Sequence, residues 1–203
     1  VNWMTAGRGI VHSERTPDAQ RASGHTVHGI QTWVALPKTH ETTEPSFEHH
    51  PADTLPKRDE NGVALTVIAG DAFGLHSPVT TFSRTLYVAA EFAAGGRLEL
   101  DASHEERAVY VVDGELAIDG TPVPAERMAV LAPGAPVTLT SGSGARAMLL
   151  GGDRIDGERF IEWNFVASSR DAIERAKAAW TRQEMGKVPG ETEWIPLPES
   201  KPR

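Results

Sequence analysis

The strongest constraint on this chain is a succession of short runs rich in β-branched and aromatic residues, closed by Gly- and Pro-bearing turns, that begins after Gly62. The runs cover 63–69, 85–92, 108–112, 115–118, 127–131, 137–140, 145–150 and 159–165. Each is too short for a core helix, and their spacing suits an antiparallel sandwich or barrel. Asp113-Gly114 and Asp119-Gly120 tolerate the positive φ of a type I′ turn and read as hairpins, Pro133-Gly134 marks another reversal, and Gly142-Ser143-Gly144 reads as a hairpin loop. One segment departs from this pattern. Ser168-Ser169 can cap a helix that runs through Asp171, Ile173, Ala176 and Trp180 to Met185, with Gly186 as its stop. Ile173, Ala176 and Trp180 form one stripe, expected to pack on the barrel. The stretch 188–203 holds four Pro and reads as an extended surface tail. The expected class is all-β with one C-terminal helix.

Nearer the N-terminus, VHGIQTWVAL over 27–36 reads as a buried strand closed by Pro37. Residues 38–61 are polar, with Pro at 45, 51 and 56, and read as a long surface connection with a domain boundary near 56–62.

Composition narrows the chemistry. With no Cys there is no disulfide, zinc knuckle, thiolate nucleophile or iron–sulfur cluster, so a metal must sit on His, Asp or Glu. A net charge of -8, a pI near 5.5 and no run of five basic residues argue against direct nucleic-acid binding. The apolar stretches fall far short of the roughly 18 residues of a spanning helix, so no membrane partner is expected. The opening Val1-Asn2-Trp3-Met4 has neither the basic nor the apolar region of a signal peptide, which points to the cytoplasm.

The useful search is therefore for His and Glu two residues apart, which project from one face of a strand and can share an ion. His12 with Glu14, Glu48 with His50, and His104 with Glu106 meet that spacing. Composition alone yields about one such pair by chance, so context must separate them. Glu48-His49-His50 lies in the Pro-rich connection and reads as a solvated charge cluster. His104-Glu105-Glu106-Arg107 fits an exposed turn or strand end equally well. His12 and Glu14 follow Gly7-Arg8-Gly9, where two Gly can turn the backbone before a short strand bearing the pair. Two ligands do not make a site, since a mononuclear iron centre usually takes at least three protein donors.

At 3–14, WMTAGRGIVHSE closely resembles the pirin family, as do HGIQTWV at 28–34, YVVDG at 110–114 and the ending VPGETEWIPLP at 188–198. The resemblance implies the cupin superfamily, with tandem jelly-roll β-barrels, a bicupin. It divides the chain into the remaining part of an N-terminal metal-binding barrel at 1–56, a metal-free C-terminal barrel at 57–166, and a helix with an extended tail at 167–203. In the family the first barrel holds one iron through three His and one Glu. Two of these ligands match His12 and Glu14, with Glu14 also the candidate catalytic group. The others come from an upstream His-x-His segment absent from this sequence, so the expectation is a fragment whose first barrel is incomplete, with a natural truncation to half a first barrel as the alternative. The implied cofactor is Fe(II) or another divalent transition metal. The implied activity is flavonol (quercetin) 2,3-dioxygenation on a small aromatic substrate, with a non-enzymatic, iron-dependent transcriptional cofactor that contacts a protein partner as the alternative. Arg8 is expected to form a structural salt bridge rather than to touch substrate.

Overall fold

The structure, a computed structural model, describes residues 1–199. The chain divides into two compact units: Val1–Trp3 with Phe47–Arg154, and Met4–Ser46 with the chain from Ile155 onward.

The strands are β1 (Asn2–Thr5), β2 (Ser46–His49), β3 (Lys57–Glu60), β4 (Val63–Ala72), β5 (Leu75–His76), β6 (Thr85–Phe92), β7 (Arg97–Leu100), β8 (Glu106–Gly114), β9 (Leu116–Ile118), β10 (Thr121–Val123), β11 (Arg127–Leu131), β12 (Val137–Thr140), β13 (Ala145–Gly152), β14 (Phe160–Glu162) and β15 (Phe165–Ala167). A large sheet runs β11-β8-β13-β6-β4-β3 with β5 on β4, and a small sheet runs β10-β9-β12-β7. From β6 to β13 the chain passes repeatedly between the two, which is the jelly-roll pattern. Alternate residues point inward. Val63, Leu65 and Val67 of β4, Leu86, Val88 and Ala90 of β6, Val109 and Val111 of β8, and Leu149 of β13 meet Leu98, Leu116 and Leu139 of the small sheet in one core. Each fully buried Leu or Val adds roughly 1.5–3 kcal/mol relative to exposure, and this repeated term holds the barrel together. A bulge between Val67 and Ala69 then turns Ala69 to a second cluster with Leu55, Val79, Tyr87 and Met148.

The turn expectations divide. Asp119 and Gly120, with φ of 48° and 79°, join β9 to β10 as a two-residue hairpin. Asp113-Gly114 is instead a corner between the two sheets: a Cβ on Gly114 would lie 2.3 Å from the Gly144 carbonyl oxygen, so only Gly lets the strands approach there. Gly142-Ser143-Gly144 is likewise a sheet-to-sheet crossing, since β12 and β13 belong to different sheets. The run at 159–165 is two strands, because Trp163 takes φ 52° between β14 and β15. Strands β3, β7 and β10 were hidden by charge, Pro or brevity; β3, with the sequence KRDE, is a sheet edge, where charge blocks further pairing.

Two expectations for the N-terminal part also fail. Residues 27–36 form no strand, and Val27 and Trp33 are 75% and 51% exposed. Strand propensity is realised only when the backbone finds a ladder partner, and none of the described strands pairs with it. The polar connection at 38–61 is not a structureless linker; it carries a 3-10 turn at Lys38–His40, β2, β3 and the buried Leu55.

In the second unit, α1 (Asp18–Ser23) is short and exposed, and α2 (Arg170–Thr181) is the expected C-terminal helix. The Ser169 hydroxyl accepts the Ala172 N–H at 3.2 Å, the N-cap read from sequence. The helix stops at Thr181 rather than Met185 because Gln183 takes φ 56°. Its stripe packs on the β14–β15 hairpin through buried Ile173, and Trp180 meets Trp163 edge-on at 5.4 Å.

Candidate metal-binding segment

Gly7-Arg8-Gly9 forms the sharp turn its composition suggests. Gly9 N–H donates to the Ala6 carbonyl at 2.8 Å, Arg8 N–H donates to the Thr43 carbonyl at 3.0 Å, and a Cβ on Gly7 would lie 2.0 Å from that carbonyl oxygen. Arg8 pairs with Glu44, the structural salt bridge expected of it. The segment that follows is not the expected short strand: residues 10–17 have neither helix nor strand, since no ladder partner lies alongside. His12 and Glu14 are exposed there, and neither has a hydrogen bond or ion pair among the described residues.

A free imidazole and a free carboxylate two residues apart suit a divalent transition ion as two of its donors. Among the described residues no group of three His, Cys, Asp or Glu converges on one point. The donor chemistry therefore fits a metal in kind and falls short in number.

The other two His–Glu pairs do different work. Glu48 and His50 lie 2.9 Å apart and are half-buried rather than solvated, and the hydrogen bond from His50 holds the Glu48 carboxyl below the usual carboxylate range. His104 and Glu106 are not brought together. Glu106 is exposed and pairs with Arg154, whereas His104 is only 2% exposed, not the exposed turn its charged neighbours suggest. The His104 Nε2 is buried without a hydrogen bond, 4.0 Å from Asp71 Oδ2. The adjoining cavity, lined in part by Phe73, Leu100 and Asp101, measures about 10 Å³, far below the roughly 300 Å³ of the smallest typical ligand pocket.

Burial first, and then the charge of Arg84, push the His104 imidazole below its ordinary value, against Asp71, Asp101 and Asp153. The folded protein thus binds fewer protons there than the unfolded chain, so its contribution is complete above the unfolded value of about 6.5 and is lost as pH falls. Stability from urea unfolding is expected to decline between pH 7 and pH 5, and His104→Gln to flatten that decline. An unchanged slope in the variant would exclude His104 as its source.

Sequence reasoning missed two buried charges. Arg107, 2% exposed, donates to the carbonyls of Asp101 at 2.5 Å, Ala132 at 2.9 Å and Ala135 at 2.8 Å. In the second unit the Arg159 side chain, 6% exposed, pairs with Glu41 and Asp156. No local signal marks their burial, because Ala132 and Ala135 lie 25 and 28 residues from Arg107 and Glu41 lies far in sequence from Arg159.

Among the described residues no helix is long and apolar enough to cross a membrane. Residues 1–34 match the Pirin family and residues 87–186 match the Pirin C-terminal cupin domain. A pirin-like protein of Caulobacter vibrioides is 46% identical over 203 residues, covering 98% of this chain and 69% of its own length. Pirin-1 of Arabidopsis thaliana is 32% identical over 185 residues, 87% of this chain and 62% of that protein. The crystal structure of a quercetin 2,3-dioxygenase from Acinetobacter baumannii superposes with a TM-score of 0.84 at 26% identity, covering 100% of this chain and 67% of that one. The chain thus spans about two thirds of the length of these relatives. Matched by the family's own domains at 1–34 and 87–186 and over nearly its whole length by a pirin-like protein, the chain belongs to the pirin family.

Proposed function

We propose that this chain is part of a metal-dependent flavonol 2,3-dioxygenase, with quercetin as the type substrate, and that His12 and Glu14 are two of its metal ligands. The observation that carries this reading is the likeness, along the whole chain, to the Acinetobacter baumannii quercetin 2,3-dioxygenase, joined to two exposed donors, unpartnered among the described residues, at the positions that the pirin resemblance marks as ligands.

His12 serves as a neutral imidazole donor, and its exposed ring has no competing partner among the described residues. Glu14 can either complete the donor pair or take the proton from a flavonol 3-hydroxyl, because its carboxylate is not committed to an ion pair. Arg8 stays with Glu44. A bound divalent ion supplies Lewis acidity toward the substrate's hydroxylate.

The full-length protein is expected to bind about one divalent transition ion per chain, and His12→Ala with Glu14→Gln to abolish that binding. Retained stoichiometry in the double variant would sink the ligand assignment. Quercetin consumption, followed by absorbance with and without Fe(II), tests the activity; no metal-dependent loss of substrate would leave a regulatory role. One observation favours that second reading, an iron-dependent regulator with a protein partner: Val27, Ile30, Trp33 and Val34 expose a run of apolar side chains that a partner could cover.

A further inference from the structure

The segment bearing His12 and Glu14 has no secondary structure of its own, yet the next residue is firmly held. Arg15 Nε and Nη2 donate to the two carboxylate oxygens of Glu191 at 2.6 and 2.7 Å, and Nη2 also reaches Glu193 at 2.8 Å. This is a two-pronged guanidinium–carboxylate contact, the geometry that fixes orientation as well as distance. Glu191 is itself fixed: its Oε1 accepts the backbone N–H groups of Thr192 at 2.9 Å and Glu193 at 3.2 Å, and its own N–H closes a turn onto the Val188 carbonyl.

The tail that presents these glutamates is anchored beyond them. Trp194 stacks on Trp180 of α2, with ring centroids 5.9 Å apart and planes at 23°, and the Trp180 indole N–H donates to the Ile195 carbonyl at 2.9 Å. Trp180 in turn abuts Trp163, which packs edge-on against Phe165 at 5.5 Å. A rigid element, α2 on its hairpin, thereby holds an irregular tail, and the tail holds an irregular N-terminal segment.

We propose that residues 188–195 act as a clasp that closes on Arg15 and orders residues 10–16, making Arg15, Glu191 and Trp194 positioning residues for the His12–Glu14 donor pair. The donor role rests on the function proposed above; the clasp does not. A chelating pair in coil otherwise spends part of its binding free energy on ordering the backbone, and a closed clasp supplies that order beforehand. The Arg15 contact holds the Glu191 carboxyl near 2, so the clasp stays closed throughout the ordinary working range of pH. Its exposed ion pairs also make it sensitive to salt.

The test is backbone 15N relaxation on the metal-free, full-length protein. In Glu191→Gln combined with Glu193→Gln, the order parameters of residues 10–16 are expected to fall below about 0.6, while those of β6, β8 and β13 stay at about 0.85. Trp194→Ala, which opens the tail at its other anchor, should produce the same local change, and Arg15→Glu with Glu191→Arg should restore order. Unchanged order parameters at 10–16, or a fall spread over the barrel, overturn the clasp. The positioning role is read separately with Co(II) as the probe: its affinity should fall about tenfold in the Glu191→Gln, Glu193→Gln variant. Lower order with unaltered Co(II) affinity overturns that role. A native protein that binds no Co(II) defeats the metal reading instead, and leaves the clasp to be judged by relaxation alone.

Discussion

Arg107→Leu is expected to destabilise the barrel by about 2–4 kcal/mol, the cost of leaving several backbone carbonyls without their charged donor. The side chain lies at the end of the two-sheet core, where its guanidinium gathers the carbonyls of Asp101, Ala132 and Ala135 and reaches toward Leu100. Those carbonyls belong to the crossings after β7 and β11, where the chain leaves one sheet for the other and has no ladder to satisfy it. Leu fills the space and supplies no donor, so three half-buried acceptors lose their charged partner together. A loss of this size moves a thermal transition by about 10 °C in a chain of this length. Arg146→Leu is the matched control. Its ion pair with Asp113 is exposed, and the transition should stay in place. If both variants melt alike, the carbonyl-gathering role of Arg107 is wrong.

The second large effect is expected in the other unit. Arg159 lies 2.9 Å from Glu41 through Nε and Oε1, off the N–H direction, so neither atom has an aligned hydrogen bond. Its Nη2 reaches the Leu36 carbonyl at 2.8 Å and Asp156 at 2.5 Å, while Glu41 also accepts the Ser168 hydroxyl at 2.7 Å. Arg159→Met leaves the Glu41 carboxylate largely buried without its counter-charge, and a cost of about 3–5 kcal/mol follows. Removing both charges is different, because two buried ions no longer have to be desolvated. The double variant Arg159→Met with Glu41→Leu is expected to recover most of the loss. Trp163, Trp180 and Trp194 lie in the same unit and report its unfolding by fluorescence. A single variant that unfolds like the wild type, or a double variant no better than the single, would show that this pair does not hold the unit.

How far the sequence could be read follows from the range of each interaction. The runs at 85–92, 127–131 and 137–140 coincide with β6, β11 and β12 because alternation and turn residues act within a few positions. The Ser169 cap and the Asp119-Gly120 hairpin are equally local. The run at 27–36 looks like a strand by the same criteria and is not one, since a strand is completed by a neighbour that its own residues do not encode. His104 shows the limit at a single residue. Its charged neighbours suggest an exposed turn, yet burial and the charge of Arg84 determine its protonation.

For the candidate site, the sequence by itself determined the donor types, their two-residue spacing and the turn that precedes them. Absence of Cys left only imidazole and carboxylate, and two Gly bracketing Arg8 required the bend. The tertiary structure alone decided that the pair lies in coil, that Arg8 turns to Glu44, and that Arg15 is grasped by glutamates 176 and 178 residues away. Spacing and turn chemistry are written in adjacent residues. Ion pairs across such separations exist only after the fold has brought their charges together.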